Sequence, residues 1–532
     1  MSYEYIVVGA GSAGCAVASR LSEDPDVRVL LLEAGGWDDR PEIHRTDGAA
    51  VLALLTSEWS PTIDWGYATE PEPALDGRRI PVARGKVAGG CSSVNALMWV
   101  RGSRHDYDGW AEAGNPGWGY EDVLPAFRRA EDYDRGGDAL RGKGGPVRVR
   151  DHTDPSPLAK AFVAAAGQLG FEAPGDDYNG EHQDGYGFLY QTTRTDEGTR
   201  ASTATAYLRP ALGRPNLTVR TGAHATRLLL DGTRVTGVEY THDGQLVRAG
   251  ADREVVVSAG AFESPKLLML SGIGPAAHLR AHGIHVVQDL PGVGGNLQDH
   301  LFVPVCYQSR EEHPEGALLS EAGLFTHALK RDGAPDLQFT FGPVKFLPPD
   351  APAAQWEGPG FTFAPIALLP ESRGRLRLRS TDPTAPAVVR AGYLTSAADV
   401  DVLVHGVLLA RELANAPAFD RLRGEELGPG AGISRPDELR AYVAARATTL
   451  WHPAGTCRMG TGADAVTDHE LRVHGIDGLR VADASVMPTI VAGNTNAPSV
   501  MIGERAAELV ENSASHPHRQ HRRTEGNHHA ER

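Results

Sequence analysis

Cysteine is scarce in this chain. Only Cys15, Cys91, Cys306 and Cys457 occur, scattered and without C-x-x-C spacing. That excludes a disulfide framework and a cysteine-built zinc site, and it fits a reducing compartment. Long apolar runs are missing as well, since no stretch approaches the roughly eighteen apolar residues that a membrane span needs. Basic charge is in deficit, with 52 Lys and Arg against 68 Asp and Glu and a formal charge of −16. Nucleic acid and anionic membrane surfaces reward clustered positive charge, so neither is an expected partner. Internal repeats are absent, no ordered His/Cys/Asp/Glu spacing suggests a metal, and no leader-like segment precedes the first apolar run. A cytoplasmic location is therefore expected. What is present, 532 residues of which 41% are hydrophobic, suffices for an enzyme of two or three domains.

The most informative stretch is Tyr3-Glu4-Tyr5-Ile6-Val7-Val8-Gly9-Ala10-Gly11-Ser12-Ala13-Gly14, with Glu33 at the end of a second apolar run. It reads as strand, glycine turn, helix, strand and acid, the arrangement that binds a dinucleotide. Gly9 allows the tight turn, Gly11 lets backbone approach a pyrophosphate, and Gly14 lets helix and strand pack closely. Helix-start N–H groups face the phosphates. A carboxylate at Glu33 can accept from a ribose. The spacing leaves FAD and NAD equally open.

Further along, Arg84-Gly85-Lys86-Val87-Ala88-Gly89-Gly90-Cys91-Ser92-Ser93-Val94-Asn95 suits a loop around a phosphate or ring edge, its glycines exposing N–H groups. Residues 106–132 carry one amphipathic helical pattern, and 158–169 an alanine-rich helix. Residues 216–240 alternate as strands, and Asp243-Gly244 marks a hairpin turn. The run 253–260 is a strand buried on both faces, leading into a helix that ends by Gly274. Between 302 and 440 proline becomes frequent and a second domain on an antiparallel sheet is expected, with Arg375-Leu376-Arg377-Leu378-Arg379 as a strand with a solvated arginine face. After the blocks 451–460, 479–485 and 493–498, a helix over 500–510 closes the fold. From 513 the His- and Arg-rich end is expected to be disordered.

These motifs, in this order over nearly the whole chain, resemble the glucose–methanol–choline (GMC) flavin oxidoreductases, nearest to the bacterial choline and alcohol dehydrogenase and oxidase branch. Residues 85–95 resemble the family's first signature, with Ala88 where a larger aliphatic residue is usual. Residues 260–274 resemble the second signature. The resemblance implies an α/β (α+β) fold, with a Rossmann-like FAD-binding domain of discontiguous segments (1–155, 198–300 and 445–512). A substrate domain with an antiparallel sheet (156–197 and 301–444) would complete it. It favours FAD over NAD. By position, Gly9, Gly11, Ser12, Ala13, Gly14, Glu33, Ala34, Trp65, Gly89, Ser92, Asn95, Ala96, Leu97, Met98 and Ala225 would hold the cofactor. Trp451, Asp483, Ala484, Asn496 and Ala497 would join them. Val94 stands where some members carry the histidine that bonds FAD covalently, so non-covalent FAD is expected.

The implied chemistry is oxidation of an alcohol to an aldehyde, with hydride passing to flavin N5 and electrons on to O2 or another acceptor. Proton removal from the hydroxyl needs a base of near-neutral pKa, a role suited to histidine. The resemblance puts His452 there, with Asn496 holding the substrate oxygen and Phe302 and Trp451 beside the substrate. Choline-oxidising members carry Glu where Asn296-Leu297-Gln298-Asp299-His300 is followed here by Leu301 and Phe302. An uncharged or aromatic primary alcohol is therefore expected over choline, because an unpaired buried cation is costly. Choline oxidation, a redox-silent hydroxynitrile lyase and a plain NAD enzyme are the competing readings. A homodimer is left open.

Overall fold

The computed structural model describes residues 2–55, 62–173, 175, 177–312, 318–330, 332–348 and 350–515. The N-terminal motif forms as its pattern dictates. Strand β1 (Ser2–Val8) runs into helix α1 (Ser12–Leu21), and β2 (Val29–Leu32) follows. Further segments complete the sheet: β3 (Leu217–Arg220), β4 (Ala223–Asp231), β5 (Arg234–His242) and β6 (Gln245–Val257). Strand order is β4-β5-β6-β1-β2-β3, with Leu479–Val481 also paired to β6. The first part of β6 pairs antiparallel with β5. Its end lies between β1 and Leu479–Val481, parallel to both. Val255, Val256 and Val257 are fully buried there, which accounts for an apolar run without alternation. The β5–β6 hairpin turns on Asp243 and Gly244, both at positive φ, as a tight two-residue turn requires.

Two helices cover this sheet beside the glycine turn. Helix α2 (Gly260–Leu270) follows β6, and α3 (Asn496–Ser515) lies on α1. The small residues of α1 allow that approach: a Cβ on Gly503 of α3 would stand 2.5 Å from the Ala13 carbonyl oxygen. Because α3 extends to Ser515, the expected disorder from 513 begins at least three residues too early. The rest of that expectation, with its five histidines, falls on 516–532, outside the described residues.

The second sheet is antiparallel, in the order Arg423–Gly428, Val305–Ser309, Gly360–Ala367, Leu337–Gly342, Ala322–Thr326, Gly187–Leu189. Its alternation explains its composition. Phe339, Phe341, Phe361 and Phe363 are fully buried; Phe341 stacks on Phe162 of the helix Pro157–Gln168, and Phe361 on Phe419. The residues between them, Thr340, Gly342, Thr362 and Ala364, face a large cavity. Thr448–Thr449 pairs with Leu301–Phe302 at this sheet's edge, so the chain leaves the antiparallel sheet just before Trp451.

Two local expectations shift. The helical pattern over 106–132 is two helices, Arg104–Glu112 and Tyr120–Ala130. Gly114 and Gly117 take positive φ between them, around Pro116. The arginine-rich strand forms, but among the described residues Arg375–Arg377 pairs only with Val388–Arg390, in a separate ribbon. Leu376 and Leu378 point inward as the alternation implies.

Candidate active site

An elongated cavity of about 2170 Å³, counted with adjoining solvent, runs from the tip of β2 past the glycine turn to the antiparallel sheet. Its first half is a dinucleotide cradle. Gly9 has φ +99°, and a Cβ there would stand 2.5 Å from the Ser258 carbonyl oxygen, so the turn needs glycine. A Cβ on Gly14 would stand 1.9 Å from Gly9's own oxygen. Gly11 is open by contrast, with nothing nearer than 4.0 Å, and it precedes α1 without any side-chain cap. The N–H groups starting α1 are thus offered to the cavity. Glu33 is buried at the far end, accepting from the Ala10 and Gly35 N–H groups at 2.9 and 2.7 Å. Burial pushes its carboxyl up to about 7 against those bonds.

These residues fit FAD. The cradle has an open glycine, an uncapped helix start and a carboxylate placed for a ribose. The Ser258 hydroxyl, also lining the cavity, is buried without a partner among the described residues. A polar atom left unmet in such a place calls for a bound polar group. Trp65 lines the nucleotide end, its ring under the Lys86 ammonium and edge-on to His224. Of the residues assigned to the cofactor from sequence, Gly14, Gly89, Ser92, Leu97 and Ala497 do not line the cavity; the others do. Gly14 supports the turn from behind. The Ser92 hydroxyl is spent on Gly89 O and Thr203, and Leu97 packs with Val51 and Leu318. Asp483 lines the cavity, but its carboxylate caps α2, accepting from Gly260 N–H and Ser264 Oγ–H at 2.8 and 2.5 Å.

At the other end stands His452. Its backbone is held tightly. Trp451 before it sits at φ +62°, a conformation that costs a bulky residue about 1–3 kcal/mol. Arg84 donates through Nη2 to the Trp451 carbonyl oxygen, and Trp451 N–H donates to Thr449 Oγ1 at 2.8 Å. Asp299, buried, accepts from His452 N–H at 2.9 Å and from the Tyr393 and Thr449 hydroxyls at 2.6 Å each. Nδ1 of His452 lies 3.0 Å from Nδ1 of His300, and its Nε2 faces the Asn494 Nδ2 at 3.5 Å. Burial, then His300 and Arg84, hold His452 well below the usual imidazole pKa.

The amide beside His452 is therefore Asn494, where the sequence assigned Asn496. Asn496 opens α3, and its Oδ1 accepts from Ser12 Oγ at 2.9 Å, tying α3 to α1 at the cradle. It lines the cavity from the cofactor side. His300, which ends the Asn296-to-His300 motif, and Arg84, which opens the glycine-rich loop, also stand at the His452 end, a placement their motifs did not signal. Phe302, Phe346 and Trp451 form an aromatic wall around the same end, with Phe302 edge-on to Phe346 at 5.2 Å. The carboxylates lining the cavity, among the described residues, are Glu33, Glu263 and Asp483, all on the nucleotide-binding segments. No His/Cys/Asp/Glu cluster suited to a metal occurs among the described residues, and no described helix is long and apolar enough to cross a membrane.

Comparison with known proteins agrees with this geometry. The GMC oxidoreductase profile matches residues 3–302 with its N-terminal part and 370–503 with its C-terminal part. Two curated relatives are named oxygen-dependent choline dehydrogenase. One, from Sinorhizobium fredii, is 43% identical over 96% of both chains. The other, from Brucella canis, is 42% identical over the same shares. Among solved structures, pyridoxine 4-oxidase from Mesorbium loti superposes with a TM-score of 0.89 at 34% identity, covering 96% of this chain and 99% of its own. The fold, the cradle and these matches together place the chain in the GMC oxidoreductase family of FAD-dependent enzymes acting on CH–OH donors.

Proposed function

We propose that this protein oxidises a primary alcohol to its aldehyde, with His452 as general base and Asn494 as the donor that holds the alcohol oxygen. One observation carries the reading: an imidazole Nε2 and an amide Nδ2 face each other at 3.5 Å in the cavity that begins at the dinucleotide cradle. An oxygen seated against both can give its proton to Nε2 while Nδ2–H donates to it as its negative charge grows. His452 is depressed below 6.5, so it is neutral and able to accept a proton throughout the neutral range. FAD, when bound, supplies the acceptor for the hydride that leaves the alcohol carbon. Glu33, the start of α1 and Ser258 would hold the nucleotide, and Val94, Asn95, Ala96 and Met98 with Trp451 would border its ring. Val94 cannot form a covalent flavin link, which supports dissociable FAD. The scarce, unpaired cysteines support a cytoplasmic enzyme, divided into the FAD-binding and substrate segments expected from the sequence.

The substrate has two supported readings. The relatives' names favour choline and count against the aromatic alcohol expected from sequence. The wall of Phe302, Phe346 and Trp451 can hold a quaternary ammonium by cation–π attraction, worth roughly 0.5–2 kcal/mol. Against choline, no carboxylate lines this end of the cavity among the described residues. Comparing kcat/KM for choline with that for its uncharged isostere 3,3-dimethylbutan-1-ol decides. A tenfold preference for choline establishes the cationic reading, and the reverse preference the uncharged one. Neither alcohol nor a benzylic alcohol bleaching the flavin absorbance anaerobically would overturn alcohol oxidation and leave the redox-silent lyase. Parallel assays for peroxide and dye reduction identify the electron acceptor.

A further inference from the structure

We infer that His300 and Gln338 act as positioning residues that fix which nitrogen of His452 is free to take a proton. This rests on His452 being the base, and deepens that reading. The geometry is a string of hydrogen bonds that begins and ends on backbone carbonyls, which only accept. At one end His300 Nε2 lies 3.0 Å from the Leu368 carbonyl oxygen, so Nε2 must carry hydrogen. His300 is wholly buried, which lowers it to about 4, so it is neutral and its Nδ1 is a bare acceptor. His452 Nδ1, 3.0 Å away, must then donate. That leaves the Nε2 lone pair facing the cavity.

The other end gives the same answer independently. The Tyr190 hydroxyl donates to the Phe339 carbonyl at 3.1 Å, so its oxygen accepts from Gln338 Nε2 at 2.7 Å. The second Gln338 Nε2 hydrogen reaches Asn494 Oδ1 at 3.3 Å. With its oxygen so occupied, Asn494 turns Nδ2–H toward His452 Nε2, which must be an acceptor. The arrangement leaves Gln338 Oε1 buried without a partner among the described residues, a local cost that the orientation of Asn494 offsets. Two strands of the antiparallel sheet thus set the tautomer of a histidine and the facing of an amide. His300 immediately precedes Leu301–Phe302 at that sheet's edge, and Gln338 lies inside Leu337–Gly342.

Charged and titratable groups around His452 are His300, Arg84 behind the Trp451 carbonyl, and Asp299 beneath its N–H, itself held by Tyr393. The test uses full-length, FAD-loaded enzyme labelled with 15N-histidine, the His452 signal being assigned with His452→Gln. Wild type should show His452 with Nδ1 protonated and Nε2 bare. His300→Ala should give a tautomer mixture and lower kcat at least tenfold. His300→Asn, whose Oδ1 can replace the Nδ1 acceptor, should restore the wild-type tautomer and return kcat to within about threefold. An Nε2-protonated His452 in wild type overturns the inference. So does His300→Ala that slows turnover while leaving the tautomer unmoved. If His300→Ala does not retain FAD, the wild-type and His300→Asn spectra still decide. The tautomer is read without substrate, so a bare Nε2 in a protein that oxidises no alcohol would defeat only the proposed function.

Discussion

The nucleotide end of the cavity draws Gly9, Gly11, Ser12 and Ala13 from a single turn, with Glu33 one strand later. The alcohol end draws Phe302, His452 and Asn494 from three distant parts of the chain, and their orientation depends on His300, Gln338, Asp299 and Arg84. The first end is made of backbone: absent Cβ atoms, uncapped N–H groups and one carboxylate. The second is made of side chains whose hydrogen bonds settle one another. A backbone site is specified by local spacing and fails by steric exclusion. A side-chain site is specified by tertiary packing and fails by loss of orientation.

That contrast can be broken at several points. The largest effect is expected at His452, where His452→Ala should lower kcat by about 10²–10⁴ while FAD absorbance and melting temperature stay near wild type. Loss of the flavin instead would show that the two ends are not separable. Next, Asn494→Ala should lower kcat about 10²-fold, in the range of a lost oxyanion donor. Asn496→Ala should spare turnover of the FAD-saturated enzyme and weaken FAD retention by about 1 kcal/mol, one lost hydrogen bond. Equal effects on kcat would return the catalytic role to Asn496. Gly14→Ala should do the opposite of His452→Ala: with the Gly9 oxygen 1.9 Å from the new methyl, FAD is lost and stability falls by about 1–3 kcal/mol. Far-UV circular dichroism and flavin fluorescence after gel filtration would read it.

The smallest effect concerns pH. Glu33 is raised to about 7 in the folded protein from an ordinary value of 4.5. The folded state therefore keeps a proton that the unfolded state releases. Glu33 contributes fully to stability below pH 4.5, and the contribution is lost as pH rises through about 7. In FAD-free protein, Glu33→Gln should gain stability relative to wild type between pH 5 and pH 8. A constant difference in melting temperature across that range would show that Glu33 titrates normally.

The same contrast governs what could be read from sequence. The strand, the glycine turn and Glu33 were legible because a tight turn and a helix start impose residue types at fixed offsets. The antiparallel sheet was legible as a change in composition, though the paired faces of Phe339, Phe341, Phe361 and Phe363 emerge only once the strands align. The sequence implied Asn496 beside His452, whereas the amide that faces it is Asn494, and the reason is physical. Asn494 and Asn496 are two residues apart, and only the point at which α3 begins decides which one turns toward His452. Ser92 and Leu97 were placed at the cofactor because a motif fixes a loop's path, while each side chain's direction follows from Thr203, Val51 and Leu318, far away in the chain. His300 could have been found only by knowing that Leu368 would be opposite it.

The packing of α3 on α1 has a consequence for biosynthesis. Residues 22–495 are made between α1 and α3, and at about 5–20 residues per second that interval is on the order of a minute. Throughout it the small-residue face of α1 lacks its cover and β6 lacks its outer neighbour. The nascent chain must wait for α3 before its FAD cradle can close.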